Sequence, residues 1–360
     1  MARVKLGDVA REYKATCGDQ KEGLRVVGLE HLIPQQIILT LWDEGKENTF
    51  TKMFKKGQVL FGRRRAYLKK AAVAPFDGIC SGDITVIEAI PSKIIPELLP
   101  FIIQNDTLFD FAVERSAGSL SPRVKWEHLK NFEFELPELD KQKELADILW
   151  ASERAKTAYR DLISSTDELV KSQFIEMFRE CPKCDLSRLS VIDMGSSPDS
   201  KTYNEEGKGL PFYQGKTEFG EMIIGDAVMY CSAPVKIAQA NDVLMSVRAP
   251  VGTVNLAKEE CCIGRGLASI RAIDGKSEAL FLFFALRIME KEIEAMGVGS
   301  TFKAINKNAL FSVQIPEASL ELQSAFVLLA QQFDKSKFAA KQALENLERT
   351  QKSLMNRYLG

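Results

Sequence analysis

Short apolar runs rich in β-branched and aromatic residues recur along the chain and predict β-strands. Two of them, Val59-Leu60-Phe61-Gly62 and Ile84-Thr85-Val86-Ile87, lie in the first half. Two similar runs lie in the second half, at residues 243–246 and 267–270. The sequence thus predicts the same pair of strands in each half.

Helical periodicity follows each pair of strands, around residues 95–114 and 278–296. Each half then closes with a strand-like run that ends in proline, at residues 132–137 and 313–316. Because strands and helices are mixed within each half, we expect a mixed α/β fold.

A long helical pattern follows each closing proline, and its apolar positions alternate by three and four residues, as in the seam of a coiled coil. Each pattern covers about 40 residues, or roughly 60 Å at ~1.5 Å per residue. An amphipathic helix packed on its own domain is the alternative. The predicted seam of the first helix is Leu145, Ile148, Ser152, Ala155, Tyr159, Leu162, Thr166 and Leu169. That of the second is Phe326, Leu329, Phe333, Ser336, Ala340, Ala343, Leu347, Leu354 and Tyr358.

The two halves are related by an offset of 181 residues, which is far longer than the period of a solenoid repeat and indicates a duplicated domain. The matching pairs are Gly118 and Gly299, Leu129 and Leu310, Gln142 and Gln323, and Leu145 and Phe326. We therefore predict a domain at residues 1–137, a long helix at 138–180, a second domain at 181–316 and a second long helix at 317–360.

Composition and charge narrow the function classes. The 360 residues carry a net charge of −1, and the seven cysteines are irregularly spaced, which favours reduced thiols over a disulfide framework. The N-terminus lacks the apolar core of a signal peptide, and no apolar run approaches the roughly 20 residues that cross a bilayer. We therefore expect a cytoplasmic protein.

The charge is unevenly distributed. Residues 51–76 contain eight basic residues and no acidic one, and Tyr67 lies among them. Residues 297–316 also lack acidic side chains. Such segments can neutralise phosphates, although a charged run is often only a solvated face.

The order of domain, long helix, domain, long helix resembles the specificity subunit of type I restriction-modification enzymes. The resemblance covers essentially the whole chain and includes Val59-Leu60-Phe61-Gly62-Arg63, answered by Val243-Leu244-Met245-Ser246. A proline followed by glutamine also opens each helix, at Pro137 and Gln142 and at Pro316 and Gln323, with two extra residues in the second copy.

The resemblance implies two target-recognition domains, each reading one half of a split DNA sequence, and two helices that form an antiparallel coiled coil. It also implies that the helices set the distance between half-sites and dock two methyltransferase subunits, which motor-nuclease subunits join. S-adenosylmethionine, ATP and magnesium are then expected only in those partners, and this chain is expected to need no cofactor.

Recognition of duplex DNA requires cations for phosphates and side chains that can address base edges. In the first domain the candidates are Arg63, Arg64, Arg65, Tyr67, Lys69, Lys70, Ser119, Ser121, Arg123 and Lys125. In the second domain they are Tyr203, Gln214, Lys216, Arg248, Arg265, Ser300, Thr301, Lys303 and Lys307.

Motifs for other chemistry are incomplete. The segment from Gly209 to Gly215 and Lys216 has five residues between its glycines, where a phosphate-binding loop needs four. Cys181 and Cys184 have the spacing of half a zinc site, but no second pair completes it. His31 and His128 have no identifiable nucleophile partner. We therefore expect no metal site and no catalytic residues.

Two other function classes remain open. A coiled-coil scaffold that binds proteins without DNA specificity would share the long helices. An enzyme that cleaves or methylates DNA alone would show activity without partners.

Overall fold

The computed structural model describes residues 2–18, 23–44, 48–299 and 303–359. The chain forms two compact units: unit 1 is Met1–Asp161 with Ala340–Gly360, and unit 2 is Leu162–Ala339. Among the described residues, no helix is both long enough and apolar enough to span a membrane.

Unit 1 mixes short strands and helices. Its strands are β1 (Ala2–Lys5), β2 (Ala10–Glu12), β3 (Arg25–Val27), β4 (Asp43–Glu44), β5 (Lys52–Phe54), β6 (Val59–Gly62), β7 (Ala71–Val73), β8 (Gly78–Cys80), β9 (Ile84–Ala89) and β10 (Glu133–Leu136). Its helices are α1 (Leu6–Val9), α2 (Leu99–Ile103), α3 (Asp106–Glu114), α4 (Trp126–Leu129) and the first part of α5 (Leu139–Met177). Short 3₁₀ helices lie at Leu29–His31, Ala66–Leu68 and Pro96–Leu98.

Unit 2 repeats this order. Its strands are β11 (Lys183–Asp185), β12 (Ser190–Met194), β13 (Tyr203–Asn204), β14 (Leu210–Tyr213), β15 (Tyr230–Cys231), β16 (Ile237–Ala238), β17 (Val243–Ser246), β18 (Val254–Leu256), β19 (Cys261–Ile263), β20 (Leu267–Ala272) and β21 (Gln314–Pro316). Its helices are α6 (Leu186–Leu189), α7 (Ala279–Ile288), α8 (Glu290–Ala295), α9 (Lys307–Phe311) and the first part of α10 (Leu320–Leu359), with a 3₁₀ turn at Ser200–Thr202. The strands and helices expected from the apolar runs are confirmed.

The sheets of the two units correspond, except that the mixed sheet of unit 2 has one additional strand, β13. Unit 1 has an antiparallel sheet in the order β2-β9-β6-β7 and a mixed sheet β4-β3-β8-β5, and β1 pairs with β10. Unit 2 has the matching orders β12-β20-β17-β18 and β13-β15-β14-β19-β16, and β11 pairs with β21. The one parallel pairing of each mixed sheet, β3 with β8 and β14 with β19, is also shared. The duplication seen in the sequence is thus a duplication of topology.

Each unit packs its own core against part of the long helices. In unit 1, Phe61 stacks on Phe109 with ring centroids 5.5 Å apart, and Leu149 and Leu359 join the same buried cluster. In unit 2, Phe174 and Phe326 from the two long helices meet edge to face at 5.3 Å. Burial of these aromatic and aliphatic groups anchors the helices to both cores.

The long helices run antiparallel within each unit. In unit 1, Lys156 contacts Gln351 and Arg160 contacts Glu348, so later positions of α5 meet earlier positions of α10. In unit 2, Asp167 contacts Lys337 in the same sense. The predicted antiparallel coiled coil is confirmed.

The predicted seam was wrong in part. Ile148, Leu162 and Leu169 were placed in it, but they are 46%, 49% and 42% exposed. The buried line runs instead through Leu149, Glu153, Lys156, Thr166 and Val170. The pattern of apolar residues does not locate the whole seam, because the paired side chains of Glu153 and Lys156 occupy part of the face between the two helices.

The two extra residues of the second copy do not change how its helix begins. α5 begins three residues before Gln142, and α10 begins three residues before Gln323. The additional residues lie in the segment that joins β21 to α10, where a loop absorbs them.

Candidate nucleic-acid interface

The basic loop of unit 1 connects β6 to β7 and is held by a second loop, residues 115–125, which connects α3 to α4. Arg65 and Lys69 flank its 3₁₀ turn with left-handed backbones, at φ of 54° and 51°. The Arg65 amide donates to the Pro122 carbonyl at 2.8 Å, and the Val124 amide donates to the Arg63 carbonyl at 3.0 Å. These bonds bring the predicted cations of both loops together.

One carboxylate organises the arginines of this loop pair. The Arg123 Nε and Nη2 atoms donate to the two Asp83 oxygens at 2.7 and 3.2 Å, and Arg64 Nη1 lies 3.6 Å from the same group. Arg64 Nη2 also donates to Ser121 Oγ at 2.9 Å. The hydrogen bond from Arg123, aided by the nearby arginine charges, lowers the pKa of Asp83 below its ordinary value of 3.8.

A groove of about 990 Å³ opens beside this cluster. Its walls include Arg63, Arg123 and Lys125 as well as Asp83 and Trp126. In the part of the chain that the structure describes, Lys125 forms no side-chain ion pair and is exposed. Glu12 and Glu127 also line the groove, so it presents both cations and carboxylates to solvent.

Other predicted cations of unit 1 are engaged within the protein. Lys69 Nζ lies 2.5 Å from the Asp106 carboxylate, which Lys352 also contacts at 2.7 Å. Lys70 Nζ donates to the Leu29 carbonyl at 2.7 Å. The fold thus brings an acidic residue next to the basic segment 51–76. Lys69 and Lys70 are less available for phosphates because their ammonium groups already have acceptors.

The remaining candidates of unit 1 are polar or aromatic and exposed. The Tyr67 ring is 55% exposed at the edge of the basic loop. Ser119 lies exposed in the second loop, next to Gly118, whose φ of 114° requires glycine. Both side chains are accessible to solvent, although neither lines the groove.

Unit 2 uses the same backbone frame around Arg248. The Ile305 amide donates to the Val247 carbonyl at 3.0 Å, and Arg248 forms an antiparallel bridge with Ala304. These contacts match those that join Arg63 and Arg64 to the second loop of unit 1. Arg248 and the adjacent Lys303 are exposed. Ser300 and Thr301, predicted from the same loop, lie outside the described residues.

Two further candidates of unit 2 lie close to Arg248. The Val247 amide donates to the Gly266 carbonyl at 2.9 Å. This bond places Arg265 beside the loop that contains Arg248. A Cβ atom at Gly266 would lie only 2.3 Å from the Gln214 carbonyl oxygen, so Gln214 packs against the same turn. Gln214, Arg248 and Arg265 are all exposed and form one polar surface.

For three predicted DNA-binding residues of unit 2, the structure gives less support. Tyr203 stacks on Phe212 with centroids 4.7 Å apart, and its hydroxyl donates to the Pro198 carbonyl at 3.0 Å. Burial raises its pKa. Lys307 begins α9 and places its Nζ 5.1 Å from the Phe311 ring, and Lys216 lies exposed in a separate turn. The Tyr203 side chain therefore stabilises its own unit through the Phe212 ring and the Pro198 carbonyl.

Asp83 is the residue that sequence reasoning missed. It lies in a turn before β9, outside the basic run, so a search for clustered positive charge could not find it. Only the pairing of β6 with β9 brings it next to Arg64.

One histidine cluster among the described residues could suggest a metal: Glu30, His31 and Asp43. His31 Nδ1 accepts the Gly28 amide at 2.9 Å. A neutral imidazole that accepts there carries its proton on Nε2, the atom that faces Asp43 at 3.7 Å. This arrangement fits a contact that fixes the ring better than a metal site.

Comparison with known proteins decides the family. The family model described as the type I restriction modification DNA specificity domain matches residues 4–160 and 185–349. Each match spans most of one copy of the repeat and part of the long helix that follows it. The chain belongs to this family.

Relatives of the type I specificity family support the assignment along the chain. The MjaX type I restriction enzyme specificity subunit of Methanocaldococcus jannaschii is 30% identical, and the alignment covers 83% of this chain and 77% of that protein. A chain from a solved structure on complex assembly and conformational transition of the type I R-M system is 30% identical, with a TM-score of 0.64 over 99% of this chain and 97% of that one. The S subunit from M. genitalium, 13% identical, shares the fold with a TM-score of 0.62 over 100% of this chain and 96% of that one.

Proposed function

We propose that this type I specificity subunit reads a bipartite DNA target, with one half-site addressed by each unit, and that its long helices set the spacing. The main support for the proposal is a backbone contact that both units share. Arg64 in unit 1 and Arg248 in unit 2 each form an antiparallel β-bridge with a second loop. Two equivalent arginine-bearing surfaces suit two separate stretches of one duplex.

The proposed docking site for two methyltransferase subunits is on the long helices. Exposed apolar side chains at Ile148, Leu162 and Leu169 follow heptad spacing along α5, outside the buried seam. Such a stripe supports burial by another protein. Motor-nuclease subunits would join this complex, which we place in the cytoplasm.

We assign this chain no catalytic step. Burial raises the pKa of Cys80 and of Cys261 to about 12 and that of Cys262 to about 11, so these thiols stay protonated and poorly nucleophilic at neutral pH. S-adenosylmethionine, ATP and magnesium are assigned to the partner subunits, where methyl transfer and DNA translocation would occur.

The test is a methylation map of DNA from cells that contain this chain with its methyltransferase partner. We expect methylation at one asymmetric sequence made of two specified parts and an unspecified gap. A single uninterrupted target would contradict the proposal. Methylation by the purified chain without partners would instead support an independent enzyme.

A second experiment separates DNA recognition from the protein scaffold. Replacement of Arg63, Arg64 and Arg65 by alanine in the complex should weaken DNA binding and reduce the slope of log affinity against log salt by about 2.7, at ~0.9 for each of three phosphate contacts. The control replaces the exposed Lys93, Lys130 and Lys276, which removes the same charge at positions outside the long helices. Equal DNA affinity in both variants would favour the scaffold.

A further inference from the structure

The pairing of Arg123 with Asp83 leaves one particular edge of the guanidinium available. Asp83 accepts from Nε and Nη2, which form the side edge of the group. Nη1 and the second hydrogen of Nη2 form the end edge, and no described residue provides an acceptor for Nη1. Arg123 is 42% exposed, so this end edge can reach a ligand.

The free edge has the geometry that recognises guanine. Two parallel N–H groups at the end of an arginine match the O6 and N7 acceptors that guanine presents in the major groove. A flexible arginine must lose side-chain freedom to make that contact, whereas one already held by a carboxylate has lost it in the free protein. Preorganisation of this kind sharpens discrimination between bases.

We propose that Asp83 is a positioning residue that holds Arg123 for the recognition of a guanine in the half-site addressed by unit 1. The inference rests on the proposed function, because it assigns a base class to one of its two half-sites. Asp83 itself contacts no DNA in this arrangement, and a carboxylate would be repelled by phosphates if it did.

The neighbours of Asp83 fit this role. Arg64 lies 3.6 Å from the carboxylate and is also held by Ser121, so the cluster has two guanidinium groups for one carboxylate and remains positive. The backbone bridge between Arg64 and Arg123 fixes the two side chains from the main chain as well. The lowered pKa of Asp83 keeps its carboxylate charged under physiological conditions.

The equivalent positions of unit 2, among the described residues, do not form this pair. Gly266 accepts the Val247 amide where Asp83 accepts the Arg63 amide, and Ala304 bridges Arg248 where Arg123 bridges Arg64. Neither glycine nor alanine can form a carboxylate–guanidinium pair. The effect of Asp83 should therefore be confined to one half-site.

The experiment uses the complex of the full chain with its methyltransferase subunits and a duplex library in which both half-sites are randomised, at fixed salt. Asp83→Asn is compared with wild type and with Asp77→Asn, which removes a different carboxylate of unit 1, one that pairs with Lys55. Arg123→Lys retains the charge but removes the fork. Base preference at every position is the readout, and thermal melting checks that each variant is folded.

We expect Asp83→Asn to lose about tenfold in preference for guanine at one or two adjacent positions of a single half-site. Arg123→Lys should lose the same positions, whereas Asp77→Asn should keep the wild-type profile. An unchanged profile in Asp83→Asn or in Arg123→Lys, or an equal loss in both half-sites, would overturn the inference. If wild type itself selects no bipartite sequence, the proposed function fails first.

Discussion

At the scale of single residues, the repeat preserves a buried glutamine that ties each long helix to its unit. Gln142 Oε1 accepts the Ile95 amide at 3.0 Å, and its Nε2 donates to the Pro137 carbonyl at 2.8 Å. Gln323 accepts the Glu278 amide at 3.0 Å and donates to the Ala318 carbonyl at 2.9 Å. The amide side chain satisfies backbone groups that would otherwise be buried without partners.

Replacement of Gln142 by methionine keeps the side-chain volume but leaves the Ile95 amide without its acceptor. We expect the free energy of unfolding of unit 1 to fall by about 1–3 kcal/mol, the usual cost of an unsatisfied buried group. Urea denaturation measures it. The same change at Gln342, an exposed residue of unit 1, is the control, and equal midpoints for both variants would contradict the structural role of Gln142.

At the scale of secondary-structure elements, the helix pair of unit 1 contains a buried polar triad. Lys156 Nζ contacts Glu153 and Gln351, each at 2.5 Å, and Gln351 Nε2 donates to Glu153 Oε1 at 2.7 Å. The charged side chains of Lys156 and Glu153 are only 8% and 9% exposed. Such a triad favours one register, because a shift along the helix would leave buried charges unpaired.

Lys156→Met should therefore destabilise unit 1 by about 3–5 kcal/mol, since Glu153 would remain buried without its cation. The double variant with Glu153→Leu removes both charges and should recover most of that loss. Chemical denaturation of both variants provides the comparison. A single variant as stable as wild type would show that the triad contributes nothing to the pairing of the helices.

At the scale of the whole molecule, two copies of one domain share a pair of long helices. If the helices set the distance between the half-sites, that distance should depend on the number of helical residues, because each residue adds ~1.5 Å. One heptad inserted into both helices, after Arg160 and before Glu348, adds about 10 Å at a level where the helices face each other. Two insertions at facing positions preserve the antiparallel pairing.

We expect that insertion to lengthen the unspecified gap of the target by about three base pairs, at ~3.4 Å per base pair, while both half-sites keep their sequences. Methylation mapping detects the change. A seven-residue insertion at the exposed Glu259, in the turn before β19, should leave the gap as in wild type. An unaltered gap in the helix variant would show that another feature sets the distance.

The sequence by itself determined the architecture. Apolar runs located the strands, the 181-residue offset revealed the duplication, and the 3–4 alternation predicted the long helices, because these patterns record which face of each element must be buried. The antiparallel pairing, implied by the family resemblance, is confirmed in the structure. The basic run predicts that the loop with Arg63 and Arg64 contacts DNA. The individual site residues remain predictions.

Only the tertiary structure decided which charges are available. The run of residues 51–76 has no acid in sequence, yet Asp77, Asp83 and Asp106 reach it from other elements. The same holds for the helix seam, where Glu153 and Lys156 are buried because each satisfies the other. Charge pairing depends on distances between residues far apart in the chain, and a linear pattern contains no such distances.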